Sequence, residues 1–405
     1  MKPALHSTSL PSPKQNHRFV ALDSWRGLCA CAVALFHFNS TSHLYSLPFR
    51  QGSYLFVDFF FVLSGFVIFA GYQAKLTQGF GVGRFLILRF GRLYPLHFAL
   101  LLAFLATNFL RLIPAFSGYS AYRPFTAPGE TPPYVFSNLL LIHSLGIHDR
   151  LSLNDPSWSV SVEFYTYIFF AIALTVLRER IKWLILTLLL LSPLFLAVLS
   201  PHYMDTTFRF GFIRCLFGFS AGALCWILFE RYQKLGDAKF PSPRLCSTIE
   251  ICLVAMVIGF VTVAGSSAMT LLAPFLFSFT VFVFAMERGL ISRFLKRPVF
   301  VLLGLLSYSI YMDHMFIKRK LFDSGAMVLS HLLHVSLTTN VNGGEWIGTS
   351  AWQGDLFSLI YLVIVIAASY VTFNVIEEPC RVWFRSLAPS RAPLMAKAAA
   401  QVAGD

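Results

Sequence analysis

Long apolar runs alternate with short polar segments along this chain. Each run holds about 20 residues, the length that a helix rising 1.5 Å per residue needs to cross the hydrocarbon of a bilayer. Ten such runs are predicted to be membrane-spanning helices, at residues 19–38, 54–72, 93–112, 159–177, 182–199, 210–229, 249–265, 268–286, 298–317 and 356–376. We therefore expect an all-α, polytopic helical bundle in which residues 19–380 form one membrane domain between the tails 1–18 and 381–405.

Composition supports this class and excludes a soluble fold. Of the 405 residues, 56% are hydrophobic and only 13% are charged, so most helices would be apolar on all sides. The net charge of +13 does not indicate a nucleic-acid partner, because most basic residues lie at the ends of the apolar runs. The basic residues concentrate on one side of the predicted membrane. This bias predicts that both termini are cytoplasmic. The cluster Lys318–Lys320 is the local exception, because it falls on the outer side.

The first apolar run carries two ionisable residues that need an explanation. Arg26 and His37 lie inside it, and an ionisable group at the centre of a spanning helix costs at least about 2.5–3.5 kcal/mol. They are eleven positions apart, which is roughly 16 Å and about three turns, so both point to the same side. The alternative is that Arg26 reaches the headgroups and His37 is merely interfacial.

The second run holds Asp58 one turn inside its outer end. Because the first and second helices are antiparallel, Asp58 could lie at the depth of His37 and accept a hydrogen bond from its ring. A carboxylate that orients an imidazole in this way leaves the other ring nitrogen free to act as a general base. The alternative is that Asp58 only stabilises a helix start through the helix dipole.

Two further motifs place polar groups at opposite ends of the bundle. Arg84, Arg89 and Arg92 precede the third run, where paired guanidinium groups suit phosphate but also fit a plain topology signal. The fourth run carries Ser161, Glu163 and Tyr167, of which the last two share a helix face. They could form a hydrogen-bonded pair that orders the helix, or they could bind a polar acceptor.

The ninth run adds three polar aromatic residues toward the outer side. Tyr308, Tyr311 and His314 recur there with helical spacing. His331 and His334, in the following loop, have no acidic or cysteine partner at ligand spacing, so we expect no metal site.

Together these motifs resemble the acyltransferase-3 family of polytopic membrane acyltransferases. The resemblance runs in order from about residue 20 to residue 386. It is carried by DSWRGLCACAVALFH, LFVDFFFVLSGF, RFGRLYP, PSWSVSVEFYTY, LLSYSIYMDH and VIEEPCRVWFR. One position departs from many members, which have a second acid where this chain has Phe164.

The resemblance implies a ten-helix enzyme that moves an acyl group, usually acetyl, from cytoplasmic acetyl-CoA to a carbohydrate hydroxyl of an exopolysaccharide, lipopolysaccharide or related glycoconjugate. It implies catalytic roles for His37 and Arg26, a donor role for Arg89 and Arg92, and an acceptor role for Ser161, Glu163 and Tyr167. It also implies a multi-pass protein of the bacterial inner membrane, with polysaccharide-assembly proteins as further partners.

The positions of the charged residues fit this reading. Arginines gather at the predicted cytoplasmic end and His37, Asp58, Glu163 and His314 toward the outer end, as a donor with a phosphorylated head and a thioester arm would need. We expect Arg84, Arg89 and Arg92 to bind the donor, and Tyr308 and His314 to join the acceptor site. Acetyl-CoA or another acyl-CoA would be the donor substrate, and no cofactor would stay bound.

In this hypothesis His37, oriented by Asp58, takes the proton of the attacking hydroxyl. A covalent acyl-histidine, a macrolide or lipid acceptor, and a proton-coupled transporter or flippase are the alternatives that the sequence leaves open.

Overall fold

The computed structural model describes residues 18–113, 123–236, 241–341 and 344–388. Ten long helices in these ranges form a bundle, and we number them α1 to α10. Their bounds are Val20–His37 (α1), Phe56–Thr77 (α2), Val82–Leu110 (α3), Ser157–Leu177 (α4), Ile181–Leu199 (α5), Gly211–Gln233 (α6), Pro243–Ala264 (α7), Ala273–Ala285 (α8), Pro298–Phe316 (α9) and Ala351–Thr372 (α10).

Short elements connect and extend these helices. The short α-helices are Pro48–Gly52, Pro132–Leu139, Leu290–Leu295, Ser324–Leu333 and Glu378–Leu387, and the 3-10 turns are His43–Ser46, Ser53–Leu55, Arg178–Arg180 and Ala268–Leu272. Two π-helical segments, Ile317–Asp323 and Phe373–Glu377, continue α9 and α10. In the described ranges, strand β1 (Thr338–Val341) pairs antiparallel with strand β2 (Gly344–Ile347).

Eight helical stretches in the described ranges are long and apolar enough to cross a membrane. One of them, Ser157–Leu199, contains both α4 and α5, and its backbone leaves the helical conformation at Arg178, where φ is +48°. Tyr165 near the start of α4 and Phe195 near the end of α5 line one cavity, so the two helices are antiparallel. α1, which carries Asp23 and Arg26, is not among the eight. The all-α membrane bundle expected from the sequence is confirmed.

Most predicted boundaries differ by up to six residues, and two differ in a way that affects the site. α3 begins at Val82 rather than at residue 93, so its three arginines lie on the spanning helix itself. After α10, the helical path continues through Phe373–Glu377 to Leu387. The predicted start of the C-terminal tail at 381 therefore falls inside a helix, because the amphipathic turns after Glu377 remain packed on α3. The N-terminal tail, up to residue 17, lies outside the described residues.

Close helix packing fixes the centre of the bundle. A Cβ on Gly27 of α1 would lie 2.4 Å from the carbonyl carbon of Leu303, and one on Gly304 of α9 would lie 2.5 Å from the oxygen of Asp23. Gly65 of α2 approaches the Phe219 carbonyl of α6 in the same way. Small residues permit such contacts between membrane helices. The first two contacts pack α1 closely on α9, and the third packs α2 on α6.

Candidate active site

Arg26 and His37 both face α9, as their spacing predicts. Arg26 Nε donates to Ser307 Oγ at 2.6 Å, and its Nη2 donates to the Gly304 carbonyl at 3.0 Å. Two helical turns further along α9, His314 contacts the His37 ring. The inner half of this helix pair thus holds a guanidinium group and the outer half holds two imidazoles.

A small polar cavity of about 110 Å³ lies between α1, α2, α3, α4 and α9. Three arginines and one carboxylate line it, so its charge balance favours an anionic ligand. The polar residues of the lining are Arg26, Arg89, Arg92, Ser64, Ser159, Glu163, Tyr167, Ser307, Tyr308 and Tyr311. We call this space the inner cavity.

Glu163 and Tyr167 form the hydrogen-bonded pair that their i,i+4 spacing allows. The Tyr167 hydroxyl donates to Glu163 Oε1 at 2.6 Å and lies 2.7 Å from Ser64 Oγ on α2. Because Tyr167 gives its proton to the carboxylate, Ser64 is the donor in the second bond. These two hydrogen bonds link α4 to α2 and hold the Glu163 carboxylate at the cavity wall.

A second opening of about 420 Å³ lies at the end of the bundle that the charge pattern predicts to be cytoplasmic. Its lining is strongly basic and includes Lys75, Arg84, Arg89, Arg92, Arg381 and Arg385. We call it the basic crevice. Arg89 and Arg92 line both the crevice and the inner cavity, so these two side chains form the boundary between them.

The three arginines of α3 differ in the hydrogen bonds that they form with the rest of the protein. Arg84 donates to the Ala388 carbonyl at 3.1 Å and lines only the crevice. Arg89 donates to the Tyr72 hydroxyl at 3.1 Å, while its buried Nε has no hydrogen-bond partner among the described residues. No hydrogen bond within the described part of the chain involves the Arg92 side chain, which leaves its donors available to a ligand.

The ring contacts of His37 and His314 determine which nitrogens carry protons. His37 Nδ1 lies 2.9 Å from the Val33 carbonyl and 3.2 Å from His314 Nε2, and His314 Nδ1 lies 3.3 Å from the Ile310 carbonyl. Because a carbonyl can only accept, each Nδ1 carries the proton, and His314 Nε2 accepts from His37. His37 Nε2 is then an unprotonated nitrogen without a partner among the described residues. Such a nitrogen can accept a proton from a substrate.

The predicted pairing of Asp58 with His37 is wrong. Both carboxylate oxygens of Asp58 accept from Arg214 of α6, at 2.8 and 2.7 Å, and both residues are buried. The cause is the rotation of α2, which turns the face carrying Asp58 and Gly65 toward α6. His314 occupies the place beside the His37 ring that we expected Asp58 to take.

Ser161 does not line the inner cavity. Its hydroxyl donates to the Leu141 carbonyl and accepts from the Ser144 amide at 3.4 Å, so it holds the loop before α4. On α4, Ser159 shares a face with Glu163 and Tyr167, whereas Ser161 lies on the other side. The predicted acceptor role of Ser161 is therefore not supported by its position.

Tyr311 closes the inner cavity on the side of the two histidines. Its hydroxyl lies 2.7 Å from Ser159 Oγ and donates to the Pro156 carbonyl at 3.0 Å, and its ring centroid is 6.0 Å from that of His314. Neither His37 nor His314 is on the cavity lining. The space that Arg26 lines therefore ends at Tyr311 and does not reach His37.

Three charged residues near the site carry no role in the sequence-based hypothesis. Glu377 is buried, accepts from Ser309 Oγ at 2.8 Å and acts electrostatically on Arg26 and Arg92. Arg381 and Arg385 line the basic crevice. All three belong to VIEEPCRVWFR, the last motif of the resemblance. This motif is the sequence feature that could have identified them.

Comparison with known proteins agrees with this architecture. A protein of Rhizobium radiobacter named "Protein 2 in picA locus" is 35% identical over 151 residues, which cover 35% of this chain and 75% of the relative. No solved structure matches the chain. The model of a family described as "Acyltransferase domain" matches residues 19–374. Since this match takes in all but the last helical turns of the bundle, the chain belongs to that family and is an integral membrane acyltransferase.

Proposed function

We propose that the protein transfers an acyl group, acetyl in the first instance, from acyl-CoA to a carbohydrate hydroxyl, with His37 as the general base. One observation carries the proposal: Arg89 and Arg92 line both the basic crevice and the inner cavity. A donor with a phosphorylated head and a long arm needs cations outside and an enclosed passage inside, and these two arginines lie where the two spaces meet.

In this proposal the phosphate groups of the donor bind in the basic crevice. Guanidinium groups suit phosphate because their donors form a planar fork. The arm then passes Arg92 into the inner cavity, where Arg26, Ser307 and Tyr308 contact it. Because Tyr311 closes the outer end, its side chain must move for the thioester to meet His37.

The chemistry is a direct transfer. His37 Nε2 takes the proton of the attacking hydroxyl, a carbon–oxygen bond forms at the thioester carbonyl, and the carbon–sulfur bond breaks. The CoA thiolate leaves and takes up a proton, which restores the neutral imidazole. His314 is the positioning residue, since it accepts from His37 Nδ1 and fixes the tautomer.

Several parts of the sequence-based hypothesis belong to this proposal. They are the carbohydrate acceptor, the absence of a permanently bound cofactor, the placement in a bacterial inner membrane and the contact with polysaccharide-assembly proteins. Glu163 and Tyr167 are proposed for the acceptor-facing wall of the cavity. Asp58 and Ser161 are left out of the machinery because of their contacts.

Acetyl-CoA binding by the purified protein in nanodiscs tests the donor site. Arg92→Gln should weaken binding about 10-fold or more, because a hydrogen bond to a charged group contributes about 1.5–3 kcal/mol. Arg92→Lys should recover part of the loss. Arg293→Gln is the matched control, since Arg293 is exposed and lies outside the crevice. Unchanged binding by Arg92→Gln would refute the proposal.

A further inference from the structure

A large groove lies on the outer half of the bundle, apart from the active site. It has a volume of about 960 Å³ and runs between the end of α3, the segment after α9, and α10. No described residue of its lining belongs to the inner cavity or to the basic crevice. Apolar side chains dominate it, among them Leu321, Leu329, Leu332, Phe357, Ile360 and Ile364.

The groove runs from the ends of α3 and α9 along α10 to about the middle of that helix. Arg111, Glu130 and Lys320 lie at its mouth, while Ile364 is thirteen residues beyond the outer start of α10, or about 20 Å along the helix. Leu321 is 52% exposed and faces the groove. A long apolar chain in the outer leaflet would therefore fit along α10.

The mouth of the groove favours an anionic head. Lys318 and Arg319 are each paired with a carboxylate, of Asp323 and Asp155 respectively. By contrast, no ion pair of the described residues includes Lys320. Its Nζ lies 5.6 Å from the Phe104 ring, and Glu130 on the same lining attracts it electrostatically without a direct contact. In the basic cluster Lys318–Lys320, two side chains are therefore held in ion pairs within the protein. The third, Lys320, faces the groove.

The groove shares a wall with the two histidines. Phe322 lines the groove and packs edge-on against Phe38 and Tyr361, at ring-centroid distances of 5.2 and 5.4 Å. Phe38 follows His37 directly, and the Tyr361 hydroxyl donates to the His314 carbonyl at 3.1 Å. A head group held at Lys320 would therefore present its substituent on the side of the bundle where His37 lies.

We propose that this groove binds the hydrocarbon chain of an anionic, phosphate-bearing lipid with the phosphate at Lys320, and that the saccharide acceptor reaches His37 attached to such a lipid. The second statement rests on the proposed function. The size of the groove, its apolar walls and its cationic mouth are the observations that select this occupant.

Lipid retention tests the groove without any need for activity. The full chain is placed in phosphatidylcholine nanodiscs containing either phosphatidylglycerol or a polyprenyl phosphate, and bound lipid is counted by native mass spectrometry. Lys320→Glu should lower retention of the anionic lipids about fivefold, as expected for one basic residue near an anionic head. Ile360→Trp should lower it by filling the groove. Leu359→Trp, on the neighbouring lipid-facing position, is the control for bulk.

The outcomes separate the two statements. Retention that is no greater for the two anionic lipids than for zwitterionic phosphatidylcholine overturns the groove site. An equal loss of lipid retention in Leu359→Trp also overturns it. The lipid-linked acceptor is tested by the KM of Ile360→Trp for a polyprenyl-phosphate-linked saccharide and for the same saccharide without lipid. An increase in KM for the lipid-linked saccharide alone supports it. An unchanged ratio of the two KM values overturns it. A wild-type protein without acyl transfer refutes the proposed function, while retention still decides the groove.

Discussion

His314 Nε2 lies 3.2 Å from His37 Nδ1, and this contact joins α9 to α1 at the outer side of the inner cavity. The Val33 carbonyl shares the same Nδ1 proton at 2.9 Å. The two acceptors fix the His37 tautomer and leave Nε2 as the basic nitrogen. The role proposed for His37 therefore depends on a second histidine rather than on a carboxylate.

Replacing His314 by Ala should lower kcat about tenfold, the size expected when one hydrogen bond that positions the base is lost. The KM for acyl-CoA should stay unchanged, because His314 lines neither the inner cavity nor the basic crevice. His314→Gln keeps an acceptor and should recover part of kcat. His43→Ala, which removes an exposed histidine paired with Asp355, is the control. A rise in KM without a change in kcat would contradict the positioning role.

Asp58→Asn should destabilise the protein, because Arg214 would stay buried without its counter-charge. Breaking a buried pair costs about 3–5 kcal/mol. Thermal unfolding in detergent should show the loss, and Asp58→Leu combined with Arg214→Met should restore most of the stability. Asp149→Asn breaks an exposed pair and should have little effect. Normal thermal stability of Asp58→Asn with abolished transfer would instead indicate a catalytic carboxylate.

Two glycines should be irreplaceable at the contact between α2 and α6. A Cβ on Gly222 would lie 1.8 Å from the Val62 oxygen, and one on Gly65 would lie 2.1 Å from the Phe219 oxygen. Alanine at either position should cost about 1–3 kcal/mol of stability through overpacking. Gly71→Ala and Gly259→Ala should be tolerated, since nothing lies within 4 Å of a Cβ there. Equal melting temperatures for all four variants would contradict the packing.

Arg385 should contribute to donor binding from beyond α10. It lines the basic crevice, while its neighbour Arg381 is already paired with Glu378. Arg385→Gln should raise the KM for acyl-CoA about fivefold or more and leave kcat unchanged, because a charge-assisted contact to phosphate is lost far from the reacting atoms. A KM like that of the wild type would place the phosphates elsewhere.

Much of the fold follows from local sequence signals. The apolar runs predict the ten helices because length and hydropathy decide what can cross a bilayer. The Glu163–Tyr167 pair follows from i,i+4 spacing, and the shared face of Arg26 and His37 from helix periodicity. These relationships lie within one helix, where the rotation of neighbouring helices has no influence.

Contacts between helices could not be predicted in the same way. Asp58 and Arg214 are 156 positions apart, and their pairing depends on how α2 is rotated against α6. For the same reason, the sequence did not predict the contact between His37 and His314 or the placement of Arg385 in the basic crevice. Ser159 faces the cavity because it lies about one helical turn before Glu163, whereas Ser161 is only two positions away and points to the other side of α4.

Single-turnover transfer by His37→Ala in nanodiscs tests the central claim most directly. The variant, loaded with labelled acetyl-CoA and a saccharide acceptor, should bind the donor with the wild-type Kd. Its rate of ester formation should fall about 10²–10⁴-fold, the range for loss of a general base. A wild-type rate in this variant would contradict the account, and so would a loss of donor binding that explains the whole decrease.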